Sequence, residues 1–400
     1  MTLKSVHDVE LSCRRLLIRA DLNVPMKNGV VADATRIERF AAGLKPLLAN
    51  GARAVVLSHL GRPDGMPRPE LSLEPVAAAL GRALGKDVAF CEVVSGPVAE
   101  KAAAALGPGD VLVCENLRFD PREEANDASL AEELAALGDL YVNDAFSCAH
   151  RAHASTVAIT EHLPAVAGPL MLAEISALTQ ALDAPLRPAV ALVGGAKVSS
   201  KIDLLINLVG KVDAVVVGGG MANTFLAANG LPVGKSLHEP AQFETVRKIL
   251  ARAQDCGCEI VLPVDIVWTD RFESGAEAHV AELDHCPEYG MILDAGPRSI
   301  ERIWDIFAGA KTILWNGPLG AFEIEPFDHA TEAVAVEAAR LTRAGQVRSI
   351  AGGGDTVAAL NAAGVTDDFT YVSTAGGAFL EWIEGKELPG VSVLKAPQLV

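Results

Sequence analysis

Aromatic residues are scarce in this sequence, at 5%, and there is no even, clustered set of cysteines. Seven cysteines in a chain of 400 residues exclude a disulfide framework and point to a reducing compartment. Cys256 and Cys258 form a C-x-C with no second pair nearby, which does not make a zinc site, so the cysteines read as small buried hydrophobes. No apolar run is long enough to span a bilayer. The opening MTLKSVHDVELSCRR meets charge before it builds an apolar stretch, so it does not read as a secretory signal and a cytoplasmic protein is expected. Positive charge is in deficit. With 34 Lys and Arg against 51 Asp and Glu, the formal net charge is −17, a surface that repels nucleic acid and anionic membranes. A small anion remains a possible substrate if basic residues gather locally. Several catalytic signatures are also missing: G-x-S-x-G, H-E-x-x-H, the Rossmann G-x-G-x-x-G with a following acid, and the protein-kinase H-R-D and D-F-G set.

What is present is a chain half hydrophobic, dominated by Ala, Val, Leu and Gly, and too long for one typical core. Two domains are expected. Short, continuously apolar, β-branched runs alternate with Ala/Leu-rich helical stretches. RLLIRADLNV, RAVVLSHLGRP, DVAFCEV, DVLVCENLRFD and DLYVNDAFSCAH occur in the first half. RPAVALVGGAK, DAVVVGGGMA, EIVLPVDIVW, KTILWNGPLG, RSIAGGGDT and FTYVSTAGGA occur in the second. Runs of this kind are strands covered on both faces, and their alternation with helices predicts parallel sheets with right-handed crossovers. The series restarts near residue 188. Between the two series GPLMLAEISALTQALDAP has helical periodicity and predicts a connecting helix. The fold expected is α/β: two doubly wound parallel-sheet, Rossmann-like domains facing a cleft, over 1–168 and 169–385, with the tail 386–400 returning to the first.

One stretch invites a wrong assignment. NGLPVGKSL contains Gly-Lys-Ser, the end of a Walker A loop. That loop needs four residues between its glycines and follows a strand. Between Gly230 and Gly234 there are only Leu231, Pro232 and Val233, and the preceding MANTFLAAN reads as a helix. Gly230 then suits a helix C-terminus, with Lys235 exposed beyond it.

Ligands of open parallel sheets bind outside the carboxyl ends of the strands. In the first half those ends carry Arg19, Asp21 and Asn23; His59 and Arg62; Arg118; and His150, Arg151 and His153, with Arg36 a little further on. Arginines converging on one edge of an acidic protein suggest an anion clamp, although each taken singly could be a surface ion pair. In the second half the ends carry glycines at 194–195, 218–220, 352–354 and 376–377, each before a helical stretch. Glycine allows close backbone approach, and a helix start offers free N–H groups, so four such loops favour a nucleotide site. Asp355 in GGGDT is a plausible Mg²⁺ contact. Lys197 and Lys201 in GGAKVSSK are spaced to share one face of a helix. Two ligand edges on two domains suggest group transfer across a cleft. A two-lobed anion receptor and a dinucleotide dehydrogenase are the competing readings, the first opposed by the second glycine-rich set and the second by the missing fingerprint.

Taken together in this order, RADLNVP, SHLGRP, ENLRF, VNDAFSCAHRAHAS, VGGAKVSSKI, VVGGGMANTF, WNGPLGAFE, AGGGDT and STAGGAFLEWIEGKELPG resemble the phosphoglycerate kinases along essentially the whole chain. The resemblance implies reversible phosphoryl transfer between 1,3-bisphosphoglycerate and ADP, giving 3-phosphoglycerate and ATP, in a cytoplasmic monomer that closes around its ligands. It implies that Asp21, Asn23, Arg36, His59, Arg62, Arg118 and Arg151 bind the phosphoglycerate. Lys197, Lys201, Asn316, Glu323, Gly353, Gly354, Asp355 and Thr356 would serve the nucleotide or the transfer, with Arg36, Lys197 and Lys201 catalytic, Glu323 on the ribose and Asp355 assisting Mg²⁺. Three places depart from the usual pattern: Ala375 replaces a third glycine, Ser147-Cys148 replaces Gly-Thr, and FDHAT replaces FAxGT.

Overall fold

The structure is a computed structural model that describes residues 3–395. The chain divides into two units, residues up to 175 with those from 387 onward, and Ser176–Lys386. The helix Pro169–Leu182 contains the boundary. Of the tail, residues 396–400 lie outside the described residues. Those before them join the first unit's backbone: Lys4 N donates to the Leu394 carbonyl at 3.2 Å, and Gly390 N to the Ala149 carbonyl at 2.9 Å.

The first unit is built on six parallel strands in the spatial order Ala89–Cys91, Val111–Cys114, Arg53–Leu57, Arg15–Ala20, Leu140–Asp144 and Ala165–Ala167. Leu17 is in register with Val55 on one side and Tyr141 on the other. The four inner strands are buried almost throughout, which is why they read as unbroken apolar runs. The helix Thr35–Ala49 turns Ile37, Phe40, Ala41, Leu44 and Leu47 inward, at the three- and four-residue spacing of one helical face. Asp33, one residue before the cap position Ala34, turns the chain into this helix by accepting from Thr35 N at 2.9 Å and from its hydroxyl at 2.6 Å. Helix Glu74–Leu84 lies beside it and ends at Gly85, whose φ of +74° is left-handed.

The second unit has its own core and its own six parallel strands, ordered Glu259–Val261, Ala214–Val217, Ala189–Val193, Thr312–Asn316, Arg348–Gly352 and Tyr371–Ser373. The strand order reverses between Ala189–Val193 and Thr312–Asn316, which places the switch-point crevice there. In the first unit the reversal lies between Arg15–Ala20 and Leu140–Asp144.

The second unit also holds a three-stranded antiparallel sheet, His279–Glu282, Asp265–Thr269 and Met291–Ala295, which the sequence did not announce. EIVLPVDIVW, expected as one strand, is two. Glu259–Val261 stays in the parallel sheet, the chain breaks at Pro263, which has no N–H to continue a ladder, and Asp265–Thr269 joins the second sheet.

Candidate functional site

In the first unit the strand ends bring Asp21, Asn23 and Arg36 together. Arg36 sits in the first turn of Thr35–Ala49. Its Nη1 donates to Asp21 Oδ2 at 2.7 Å and to the Asn23 carbonyl at 3.1 Å. Asp21 Oδ2 also accepts from Ser147 Oγ at 2.6 Å, so the serine that departs from the family pattern orients the carboxylate that orients the arginine. Asn23 Oδ1 accepts from Gly61 N at 2.9 Å, and the Gly61 carbonyl accepts from Arg118 Nη1 at 2.9 Å. Those two bonds tie three separate strand ends into one edge. Arg118 Nε also lies 3.1 Å from Glu124, but without the alignment of a hydrogen bond. Burial lowers the Arg118 pKa and Glu124 opposes the shift, yet an arginine keeps its charge at any physiological pH. Arg62 and Arg151 are exposed on the same loops. His59 is buried, and burial together with the charge of Arg19 and then Arg118 holds its ring well below the usual histidine range.

Arg19, read as one of the strand-end cations, lies beneath this edge and not on it. It is 1% exposed. Ser155 and Glu123, which support the edge from behind, have no signal in the sequence, because nothing in their spacing distinguishes them from ordinary loop residues, and Ser147 showed only as a departure from the usual pattern, with no sign of its bond to Asp21.

In the second unit Lys201 is caged at the switch point. Its ammonium donates to the Gly194 carbonyl at 2.6 Å, to Asn316 Oδ1 at 2.6 Å and to the Asn316 carbonyl at 3.2 Å. Asn316 Nδ2 donates in turn to the Gly352 carbonyl at 2.8 Å, and Thr356 Oγ1 accepts from Gly317 N at 2.7 Å. Burial, opposed by Asp355 and Glu384, brings the Lys201 pKa down to about 8. The glycines are needed for this closeness: a Cβ on Gly194 would lie 1.7 Å from the Pro318 carbonyl oxygen, and one on Gly353, where φ is +100°, would lie 2.6 Å from Asn316 Nδ2.

The expected helical face shared by Lys197 and Lys201 is not formed. Lys197 caps a single 3-10 turn, Val198–Ser200, and is exposed, whereas Lys201 precedes the helix Ile202–Leu208 with φ −135°. The buried Val198 and the cage around Lys201 take the backbone out of a regular helix here. Gly354 and Asp355 open the helix Gly354–Ala362. Asp355 and Glu323 are exposed on the wall of a cavity of about 270 Å³ that Gly219, Gly220, Leu293 and Pro318 also line. Part of that wall comes from the antiparallel sheet, which explains why composition gave no hint of it. Ala375 is buried and absent from the positive-φ residues, and its N–H donates to Ser373 Oγ at 3.2 Å, so alanine adds no backbone strain there. Among the described residues no cluster of three or more His, Cys, Asp or Glu could hold a metal ion.

A clamp of cations on one doubly wound unit and a glycine-walled cavity at the switch point of another make this a two-domain kinase of small molecules. A family model described as phosphoglycerate kinase matches residues 6–386, and the chain belongs to the phosphoglycerate kinase family. It is 59% identical to the phosphoglycerate kinase of Methylobacterium radiotolerans over 96% of each chain, and 57% identical to that of Rhizobium meliloti over 99% of each. Among solved structures, the enzyme of Coxiella burnetii superposes with a TM-score of 0.92 at 42% identity, covering 98% of this chain and 99% of that one. That of Pyrococcus horikoshii gives 0.78 at 29% identity, covering 98% of each.

Proposed function

We propose that this chain transfers a phosphoryl group reversibly from 1,3-bisphosphoglycerate to ADP, giving 3-phosphoglycerate and ATP, the glycolytic reaction of its family. On this reading Asp21, Asn23, Arg36, His59, Arg62, Arg118 and Arg151 bind the phosphoglycerate on the first unit. Lys197, Lys201, Asn316, Glu323, Gly353, Gly354, Asp355 and Thr356 serve the nucleotide and the transfer on the second. The observation that carries the assignment is that each set collects at the carboxyl ends of its own parallel sheet, where ligands of such sheets bind.

Phosphoryl transfer needs alignment and charge neutralisation more than covalent help. Arg36, oriented by Asp21, presents its guanidinium to the migrating group from the acid side. Lys201 presents its ammonium from the nucleotide side, exchanging its carbonyl cage for phosphate oxygens. Transfer is direct and in line, so no phosphoenzyme forms, and closure around both ligands keeps water from the acyl phosphate. Glu323 accepts from the ribose hydroxyls. A magnesium ion fits beside Asp355, since one exposed carboxylate at a helix start, with phosphate oxygens and water completing the shell, is how this cation binds. When bound it neutralises phosphate charge.

The protein is expected to work as a cytoplasmic monomer. Its cysteines are free thiols, no helix among the described residues is long and apolar enough to cross a membrane, and a single chain supplies both ligand edges. ADP-dependent ATP formation from 1,3-bisphosphoglycerate tests the reaction. An assay with purified protein that yields no ATP would overturn it.

A further inference from the structure

Behind His59 lies a buried polar cluster to which the reaction assigns no task. Arg19, in the strand Arg15–Ala20, sends Nε to Ser155 Oγ at 2.9 Å and Nη1 to the Ala20 carbonyl at 2.5 Å. Its Nη2 lies 3.2 Å from His59 Nδ1 and 3.6 Å from Cys148 Sγ. Ser155 passes its own hydrogen to Glu123 Oε1 at 2.6 Å and donates its N–H to Glu123 Oε2 at 2.9 Å. Tyr141 fixes the same segment by donating to the Ser155 carbonyl at 2.6 Å. The guanidinium is therefore held in place, with a buried carboxylate one hydroxyl away to balance its charge.

A guanidinium has donors only. His59 Nδ1, facing Nη2, can take part only through its lone pair. A neutral imidazole carries one proton, which then belongs on Nε2, since the bond made by one ring nitrogen sets the state of the other. Neutrality follows from the surroundings. The ring is 5% exposed, and the charged or titratable groups acting on it are Arg19, Arg118, His153 and Arg36. Burial pushes the Cys148 thiol up, so it keeps its proton, and its sulfur, 3.9 Å from Nδ1, offers no competing acceptor of comparable strength, because thiol sulfur is a weak one.

We infer that Arg19 is a positioning residue that fixes His59 as the Nε2–H tautomer, so that the ring meets the phosphoglycerate as a hydrogen-bond donor. The inference rests on the proposed placement of the acid beside His59. The opposite tautomer would turn a lone pair toward an anionic oxygen and repel it. Arg19 thus acts through His59 and does not itself touch substrate, which its burial prevents.

Selective ¹⁵N-histidine labelling of the whole protein gives the test, with the His59 signals assigned by their loss in His59→Gln. In the wild type between pH 6 and 8 we expect Nε2 protonated, Nδ1 unprotonated and no titration of this ring. A protonated Nδ1, or a ring titrating at the usual histidine value, overturns the inference without recourse to any Arg19 variant. Arg19→Lys, which still offers only donors, is expected to keep the wild-type pattern. Arg19→Met is expected to mix the tautomers and to raise KM for 3-phosphoglycerate about 10- to 100-fold, the range for a lost hydrogen bond to a charged group, with KM for ATP unchanged. A changed tautomer with unchanged KM would overturn the donor role. If His59→Gln binds 3-phosphoglycerate as the wild type does, the placement of the acid falls while the tautomer result stands.

Discussion

At the scale of single residues, the proposed acid side and the proposed nucleotide side each present one cation that is held before any ligand arrives, and the two are held by different means. Arg36 is partly exposed and paired with Asp21, which aims its guanidinium. Replacing it with alanine is expected to leave the fold intact, because Asp21 keeps the Ser147 hydroxyl as a partner when the guanidinium is gone, and to lower turnover by roughly 10³–10⁵, as comparable cationic stabilisers do. Steady-state kinetics on the purified variant checks this, and retention of more than about a tenth of wild-type turnover contradicts the role, a bound set from that same range. Lys201 is a different case. Its pKa of about 8, lowered by burial, means that the free protein loses this charge as pH rises through 8, while a bound phosphate, being anionic, favours the protonated form. Nucleotide affinity should therefore fall from pH 7 to pH 9, with proton uptake on binding toward the upper end. Calorimetry in buffers of different ionisation enthalpy measures both. Lys201→Met should bind weakly with a flat profile, and a wild-type affinity that does not change over this range would mean that the lysine stays charged in its cage.

At the scale of elements, the false Walker stretch shows what a loop motif means once its neighbours are known. Helix Gly219–Ala228 ends at Asn229, and Gly230 follows with φ +84°, which is the helix-terminating role its position in the sequence indicated. Gly234 forms an antiparallel bridge to Met291, and Lys235 N donates to the Gly290 carbonyl at 2.7 Å. The loop is thus pinned to the antiparallel sheet while the Lys235 side chain is exposed. Two substitutions one residue apart should separate in effect. Lys235→Ala is expected to leave MgADP affinity close to wild type, and a loss approaching that of Lys201→Met would show that the lysine reaches phosphate. Gly234→Ala is expected to lower stability by roughly 1–3 kcal/mol in thermal or denaturant unfolding. There φ is +52°, and a Cβ would lie 2.3 Å from the Pro287 carbonyl oxygen and 2.4 Å from that of Gly290. The parallel strands, the glycine turns and the connecting helix were legible in the sequence because each leaves a local mark: a doubly covered run, a forced backbone conformation, a periodic face. The antiparallel sheet was not, since Asp265–Thr269 merges with the preceding apolar run and His279–Glu282 alternates exposed and half-buried residues. Nor was the burial of Arg19, because its partners Ser155 and Glu123 are more than a hundred residues away in the chain. The cage around Lys201 was half legible: the lysine and the glycines could be found, but not the carbonyls that surround it.

At the scale of the whole molecule, two units with separate cores each carry one proposed ligand edge, and the reaction requires both ligands in line at contact distance. Either ligand alone satisfies half of the groups that the transfer uses: the migrating phosphoryl would have Arg36 without Lys201, or the reverse. Only a ligand that binds the closed form more tightly than the open one can shift the balance between them. Each ligand alone is therefore expected to compact the protein in part, and the two together to compact it further. Small-angle scattering of the apo, binary and ternary forms, with 3-phosphoglycerate and MgADP chosen so that no turnover occurs, measures the radius of gyration directly. Arg36→Ala should bind MgADP normally yet show a reduced further compaction on adding 3-phosphoglycerate, since the proposed acid edge then has one cation fewer with which to hold the anion. A ternary radius equal to the apo radius would end the closing mechanism, and full compaction with MgADP alone would show that the acid contributes nothing to closure.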